Sequence, residues 1–193
     1  MTKGKAGFTI IELLIVIAIM SITFAAIPAF QNWQTISKTN TAVRVLASDL
    51  RLARSMAVDR NHDVVVTFDT GTNSYAVYAD WAGDGPDVSD LVKSKTLAEV
   101  GKGVVFGSTS GTAVGGGPIT NPVVLGNTSD PINVIMKANG EAIHPGVIYL
   151  IHRIDLSSLQ MERNRAVQIL KTGRVRTMRW DNTNPSDPWA EFF

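Results

Sequence analysis

The chain has 193 residues, 18 Lys and Arg against 17 Asp and Glu, a formal charge of +1, 45% apolar residues and no cysteine. That length suits one domain with a core of its own. The near balance of charge names no partner, and the lack of cysteine excludes a disulfide framework while remaining compatible with an oxidising periplasm.

A short basic leader, residues 1–7, carries Lys3 and Lys5 and precedes a long apolar run. No residue from Leu13 to Ser37 is charged, and about 20 apolar residues in a helix are enough to span a hydrocarbon core. Lysines ahead of such a run place the leader in the cytoplasm and the bulk of the chain across the membrane. Glu12 stands at the head of the run, where a carboxylate costs about 2.5–3.5 kcal/mol on insertion scales and calls for a partner or a task. Other accounts of this segment stay open. A secretory signal peptide would be cut after the apolar stretch, among the small residues between Ala25 and Ala29. A plain signal anchor explains the run and the leader but neither Glu12 nor the Gly7–Phe8 junction. Glu12 would also offset the positive end of a helix dipole, an effect of about 0.3–1 kcal/mol.

The stretch KAGFTIIELLIVIAI, Lys5 to Ile19, resembles the class III signal of type IV prepilins and type II secretion pseudopilins. The resemblance implies cleavage by a prepilin peptidase between Gly7 and Phe8 and N-methylation of Phe8. It also implies that Glu12, at the fifth mature position, pairs with the Phe8 amine of a neighbouring subunit during filament assembly. An ammonium and a carboxylate that meet in low dielectric each lessen the other's desolvation cost, provided hydrogen bonds complete the match. Loss of Lys3 and Lys5 with the leader moves the formal balance from +1 to about −1.

The helix that starts near Phe8 is expected to run to about Asp59, roughly 75 Å at 1.5 Å per residue. No glycine interrupts the chain between Phe8 and Thr70, and Pro28 lies where a membrane helix can absorb a kink. Val43, Leu46, Ala47, Leu50, Ala53 and Ala57 form one stripe, with Arg44, Ser48, Arg51 and Ser55 opposite. Trp33 suits the membrane interface.

After Arg60 the pattern becomes that of strands. Val64–Phe68 and Tyr75–Tyr78 flank Thr70-Gly71-Thr72-Asn73 and predict a β-hairpin. Further strands are predicted at Val104–Phe106, Val123–Leu125, Ile132–Met136, Val147–Ile151, Ala166–Leu170 and Val175–Trp180. The glycines of Gly107–Pro122 predict a flexible loop without regular structure, and it is no phosphate loop because no Lys-Ser/Thr pair follows. The acidic loop with Asp80, Asp84, Asp87 and Asp90 invites a calcium reading. It fails the EF-hand pattern, because Ala82 stands at a ligand position and Leu91 where the closing glutamate belongs. His62, His144 and His152 have no metal-binding spacing, and no nucleophile elbow is present, so no enzyme, metal or cofactor is expected. Trp180 and Trp189 are expected to pack the end of the sheet or its tail.

The stretch LASDLRLARSMAVDRNHDVVVTF, Leu46 to Phe68, looks like the helix-to-strand junction of the GspH/FimT group of minor pilins and pseudopilins. Ala138-Asn139-Gly140, Ala166-Val167-Gln168-Ile169 and Thr172-Gly173-Arg174-Val175-Arg176 resemble that family's later landmarks. Several FimT-like members carry head cysteines that this chain lacks. The resemblance implies an α+β pilin fold, a long N-terminal helix packed on an antiparallel β-sheet head. It divides the chain into leader (1–7), transmembrane and assembly helix (8–30), amphipathic continuation (31–60), periplasmic head (61–180) and tail (181–193).

On a strand, Arg174 and Arg176 would project to the same side, beside a glycine that permits close approach. Lys171 and Arg179 lie near, and Arg153, Arg163 and Arg165 add charge. Two or three phosphate contacts would give weak, salt-sensitive, sequence-independent binding of double-stranded DNA. FimT-like pilins use a GRxR motif in DNA uptake, which the resemblance extends to Arg174 and Arg176 here, while Lys171 and Arg179 join them as DNA-binding candidates by nearness in sequence. Against this, Asp155, Glu162, Asp181, Asp187 and Glu191 could neutralise the arginines. The expected role is a minor type IV pilin, single-pass in the bacterial inner membrane, that primes or caps a filament with other pilins and an assembly platform. The alternative is a GspH-type pseudopilin of a type II secretion system.

Overall fold

The computed structural model describes residues 9–79, 87–109, 111–126, 132–181, 183 and 187–192. The chain divides into two compact units, residues 1–35 and 36–193. Helix α1 (Ile10–Arg60) supplies the first and opens the second. Its start follows from a cap, because the Thr9 hydroxyl accepts the backbone N–H of Glu12 at 3.3 Å, the bond that Thr-x-x-Glu favours. Its end follows from Asn61, which takes the left-handed conformation (φ 54°) as His62 N–H returns to the Ala57 carbonyl. Pro28 lies inside α1 without ending it.

In the first unit α1 is apolar on every side and exposed, from Ile10 at 81% to Trp33 at 64%. The hydroxyls of Ser21 and Thr23 fold back onto the carbonyls of Ile17 and Ile19, which leaves them satisfied without water. The helix is long and apolar enough to cross a membrane.

In the second unit the predicted stripe is buried, with Val43, Leu46, Ala47, Leu50, Ala53 and Ala57 at 0%, while Arg44, Ser48, Arg51 and Ser55 are exposed. Eleven strands follow among the described residues: β1 (Val64–Asp69), β2 (Ser74–Ala79), β3 (Leu91–Thr96), β4 (Val104–Phe106), β5 (Val123–Leu125), β6 (Ile132–Met136), β7 (Ala142–Ile143), β8 (Gly146–His152), β9 (Arg165–Ile169), β10 (Val175–Trp180) and β11 (Trp189–Glu191). They form two antiparallel sheets, ordered β3-β2-β1-β6-β7 and β11-β10-β9-β8-β4, with β5 also on β8. The helix stripe, Val66, Phe68 and Tyr75 of the first sheet, and Ile148, Leu150, Val167 and Val175 of the second share one core. β8 is buried on both faces, so it reads in sequence as an unbroken apolar run. Its Val147 and Tyr149 join Ala166, Met178 and Trp189 in a smaller cluster.

The fold is the α+β arrangement expected, with three differences. β3 was not foreseen, because its Lys93 and Lys95 break the apolar pattern; both instead turn to the buried Asp49, at 2.5 and 3.5 Å. Among its described residues, segment 107–122 holds only an isolated bridge, Thr112 to Pro118, yet it is tied down: Val114 N–H reaches the Tyr149 hydroxyl, and Trp189 Nε1 donates to the Thr112 carbonyl. The head's sheet also continues past Trp180. Trp189–Glu191, assigned to the tail, pairs with β10 because Trp189 buries against Trp180 and Tyr149, each ring 5.5 Å away. Asp80 and Asp84 of the acidic loop lie outside the described residues. Asp87 and Asp90 are engaged in a capping box of the short turn Val88–Asp90.

Candidate functional site

The cleavage-site residues Gly7 and Phe8 lie outside the described residues. Glu12 stands in the first turn of α1, exposed, at the helix end whose unpaired N–H groups favour a carboxylate.

The arginine site is built from two turns and one helix face. Gly140 N–H bonds to Lys137 O in the turn after β6, and Gly173 N–H bonds to Leu170 O in the turn between β9 and β10. Both glycines have positive φ, 80° and 72°. A Cβ on Gly173 would stand 2.0 Å from the Gly140 carbonyl oxygen, so the turns meet at a distance only glycine permits. Arg54 of α1 locks them together: its Nε donates to Gly140 O at 2.9 Å and its Nη2 to Thr172 O at 3.2 Å. One turn further back, Arg51 Nη2 donates to Val175 O at 3.2 Å. The glycine of the GRxR motif is therefore a packing requirement, independent of any ligand.

Arg174 and Arg176 do project together, as the strand spacing predicts. Both reach the carboxylate of Glu191 on β11, Arg174 Nη2 at 3.3 Å and Arg176 Nε at 3.7 Å. Arg176 Nε is shielded from solvent and has no hydrogen-bond acceptor. A cleft of about 670 Å³ opens beside them, lined by Arg51, Arg54, Ser55, Asp59, Arg174 and Glu191 among others.

The other cations are placed differently. Lys171 is exposed on the turn. Arg179 pairs with Asp181 at 3.6 Å and lines a separate hollow with Arg165 and Glu162. Arg165 is structural: Asn40 and the carbonyls of Glu162 and Asn164 hold it, and Phe192 lies under its guanidinium at 5.6 Å. Burial, with the Arg179 charge, lowers its pKa to about 10. Arg163 pairs with the buried Asp155 at 2.5 Å. His152 caps the short helix Arg153–Ser157, and His144 meets Asn133. Among the described residues no group of three His, Cys, Asp or Glu could hold a metal ion.

Sequence reasoning missed Arg51 and Arg54. It set Arg51 on the solvent face and passed over Arg54, although their i, i+3 spacing puts both on one flank of the stripe. Glu191 was weighed only as one of several carboxylates.

No curated protein matches the chain. Among solved structures, the minor pseudopilin EpsH from the type 2 secretion system of Vibrio cholerae is similar at 13% identity, over 74% of this chain and 97% of that one, with a TM-score of 0.49. The type IV minor pilin FimU of Pseudomonas aeruginosa is similar at 14% identity, over 72% and 90%, with a TM-score of 0.45. The prokaryotic N-terminal methylation motif matches residues 2–28, which include Gly7, Phe8 and Glu12. That motif implies processing by a prepilin peptidase and assembly with other pilins or pseudopilins. The family model of type II transport protein GspH matches residues 42–173, which hold the helix stripe, both glycine turns and most of the two sheets. The chain belongs to this GspH family of structural pilin and pseudopilin subunits, which are not enzymes.

Proposed function

We propose that this chain is a minor type IV pilin of the FimT type. It is trimmed between Gly7 and Phe8, held as a single pass in the bacterial inner membrane with its head in the periplasm, and drawn by the assembly platform into a filament that it primes or caps. The observation that carries this reading is the first half of α1: an all-round apolar helix whose single carboxylate, Glu12, sits at its start. Such a surface calls for lipid or for the matching helices of other subunits, and Glu12 has the place from which to meet a neighbour's Phe8 amine.

A second reading, a GspH-type pseudopilin serving protein export, is favoured by the family's own description as a type II transport protein. A further role, capture of double-stranded DNA, is supported by the shared orientation of Arg174 and Arg176, with Lys171 exposed beside them.

The test of assembly is a pair of variants followed in cells. Gly7→Glu should leave an uncut precursor in the membrane, because the peptidase needs a small residue there. Glu12→Ala should be inserted and trimmed but excluded from filaments. Normal trimming of the first, or normal incorporation of the second, refutes the corresponding assignment.

A further inference from the structure

We propose that the cleft between Arg51, Arg54 and Arg174 is an oxyanion site for a backbone phosphate of nucleic acid, and that Glu191 of the chain's own C-terminal strand holds the oxyanion's place until DNA displaces it. This rests on the DNA-capture reading above and extends it from a pair of arginines to a built and gated site.

Charge comes first. Three guanidinium groups, Arg51, Arg54 and Arg174, line the cleft together with two carboxylates, Asp59 and Glu191, and Arg176 reaches Glu191 beside it. A guanidinium has five N–H donors. Arg51 gives one to the Val175 carbonyl and Arg54 gives two to Gly140 and Thr172. These bonds orient both groups and leave donors over, so the helix side of the cleft is pre-organised.

Fit comes second. Charge-assisted bonds between a guanidinium and a carboxylate usually close to about 2.7–2.9 Å. Glu191 stands 3.3 Å from Arg174 Nη2 and 3.7 Å from Arg176 Nε, and the latter is shielded from water without an acceptor. A buried donor in that state is better served by a closer anion. The flat carboxylate thus holds two arginines loosely, whereas the tetrahedral oxygens of a phosphodiester suit guanidinium forks approaching from several directions.

Release comes third. Glu191 is the last residue of β11, and the anchor of that strand is Trp189, two residues earlier, buried and bonded to Thr112. The Glu191 side chain is 43% exposed, and ion pairs this open to solvent are weak. It can leave the arginines without β11 leaving the sheet.

The experiment measures binding of a fluorescent DNA duplex to the full chain in non-ionic detergent at two salt concentrations, with thermal unfolding of each variant as a check of folding. Glu191→Gln should tighten binding roughly threefold or more. Asp187→Asn, the same charge change in the same C-terminal segment, should tighten it much less. Arg51→Gln should weaken it, and Arg174→Gln with Arg176→Gln should abolish it in the Glu191→Gln background too. Unchanged affinity in Glu191→Gln, or equal tightening in Asp187→Asn, overturns the gate and leaves DNA capture standing. Unchanged affinity in Arg51→Gln overturns the extension of the site onto the helix. No binding by any form, Glu191→Gln included, overturns DNA capture and this inference with it.

Discussion

The two halves of α1 share one backbone and follow opposite rules of sequence. From Ile10 to Trp33 the described apolar side chains point in every direction and stay exposed, and the charged residue that breaks the pattern is a carboxylate at the start. From Val43 to Ala57 one stripe of apolar residues (Val43, Leu46, Ala47, Leu50, Ala53 and Ala57) is fully buried, and the charged residues flank it except Asp49, which is buried on it. A helix satisfies its own backbone in either setting, so the sequence of each half speaks about its surroundings. The second half carries its partner in the same chain. The first leaves its described apolar side chains exposed, which is the mark of a segment made for lipid or for other subunits.

This contrast can be broken most forcefully at Leu50. Leu50→Ala empties a fully buried position and should lower the unfolding free energy of the head by about 2–5 kcal/mol, read by chemical denaturation in detergent. Ile17→Ala, an equal truncation in the first half, should leave that value within about 0.5 kcal/mol. Equal effects would mean that the head draws stability from the apolar segment.

The next test addresses the turns that the helix arginines hold. Gly173→Ala puts a methyl group against the Gly140 carbonyl in a left-handed conformation and should cost about 1–3 kcal/mol in the same assay. A smaller loss would mean that the two turns can part.

The smallest effect is expected at Asp49, the buried carboxylate on the otherwise apolar stripe. Burial alone would raise its pKa, but hydrogen bonds from Lys93 and Tyr75 and the charges of Lys93 and Lys95 prevail and hold it below the ordinary value. The same burial, with Asp49 beside it, drives the Tyr75 phenol far up. Since the folded pKa of Asp49 lies below the unfolded one, near 4, its contribution is complete above that pH and fades as the pH falls through the folded value. Asp49→Asn should cost about 1–2 kcal/mol at neutral pH. Its stability should also fall less steeply than that of the unaltered chain below about pH 4, as followed by acid unfolding.

Much of the fold is legible because it is periodic. The helix stripe needs only a spacing of three and four, and the β1–β2 hairpin only a turn between apolar runs. The elements that escape are those whose residues contradict their local pattern. β3 carries two lysines whose partner, Asp49, lies more than forty residues away on the helix. β11 is three residues long, too short to show a period, and is held through Trp189 by the Tyr149 and Trp180 rings of neighbouring strands. The candidate site divides in the same way: the projection of Arg174 with Arg176 follows from strand alternation, but their common partner does not.

By itself, then, the amino-acid order determined the apolar run with Glu12 at its head, the amphipathic half of the helix and most strands of the two sheets, because each is written in neighbouring residues. The tertiary structure alone decided what the arginines do. Arg54 closes onto carbonyls 86 and 118 positions away, and Glu191 comes back along a sheet edge to face Arg174 and Arg176. A guanidinium bonds whatever acceptor the folded chain brings within 3 Å or so, and sequence distance has no bearing on that choice.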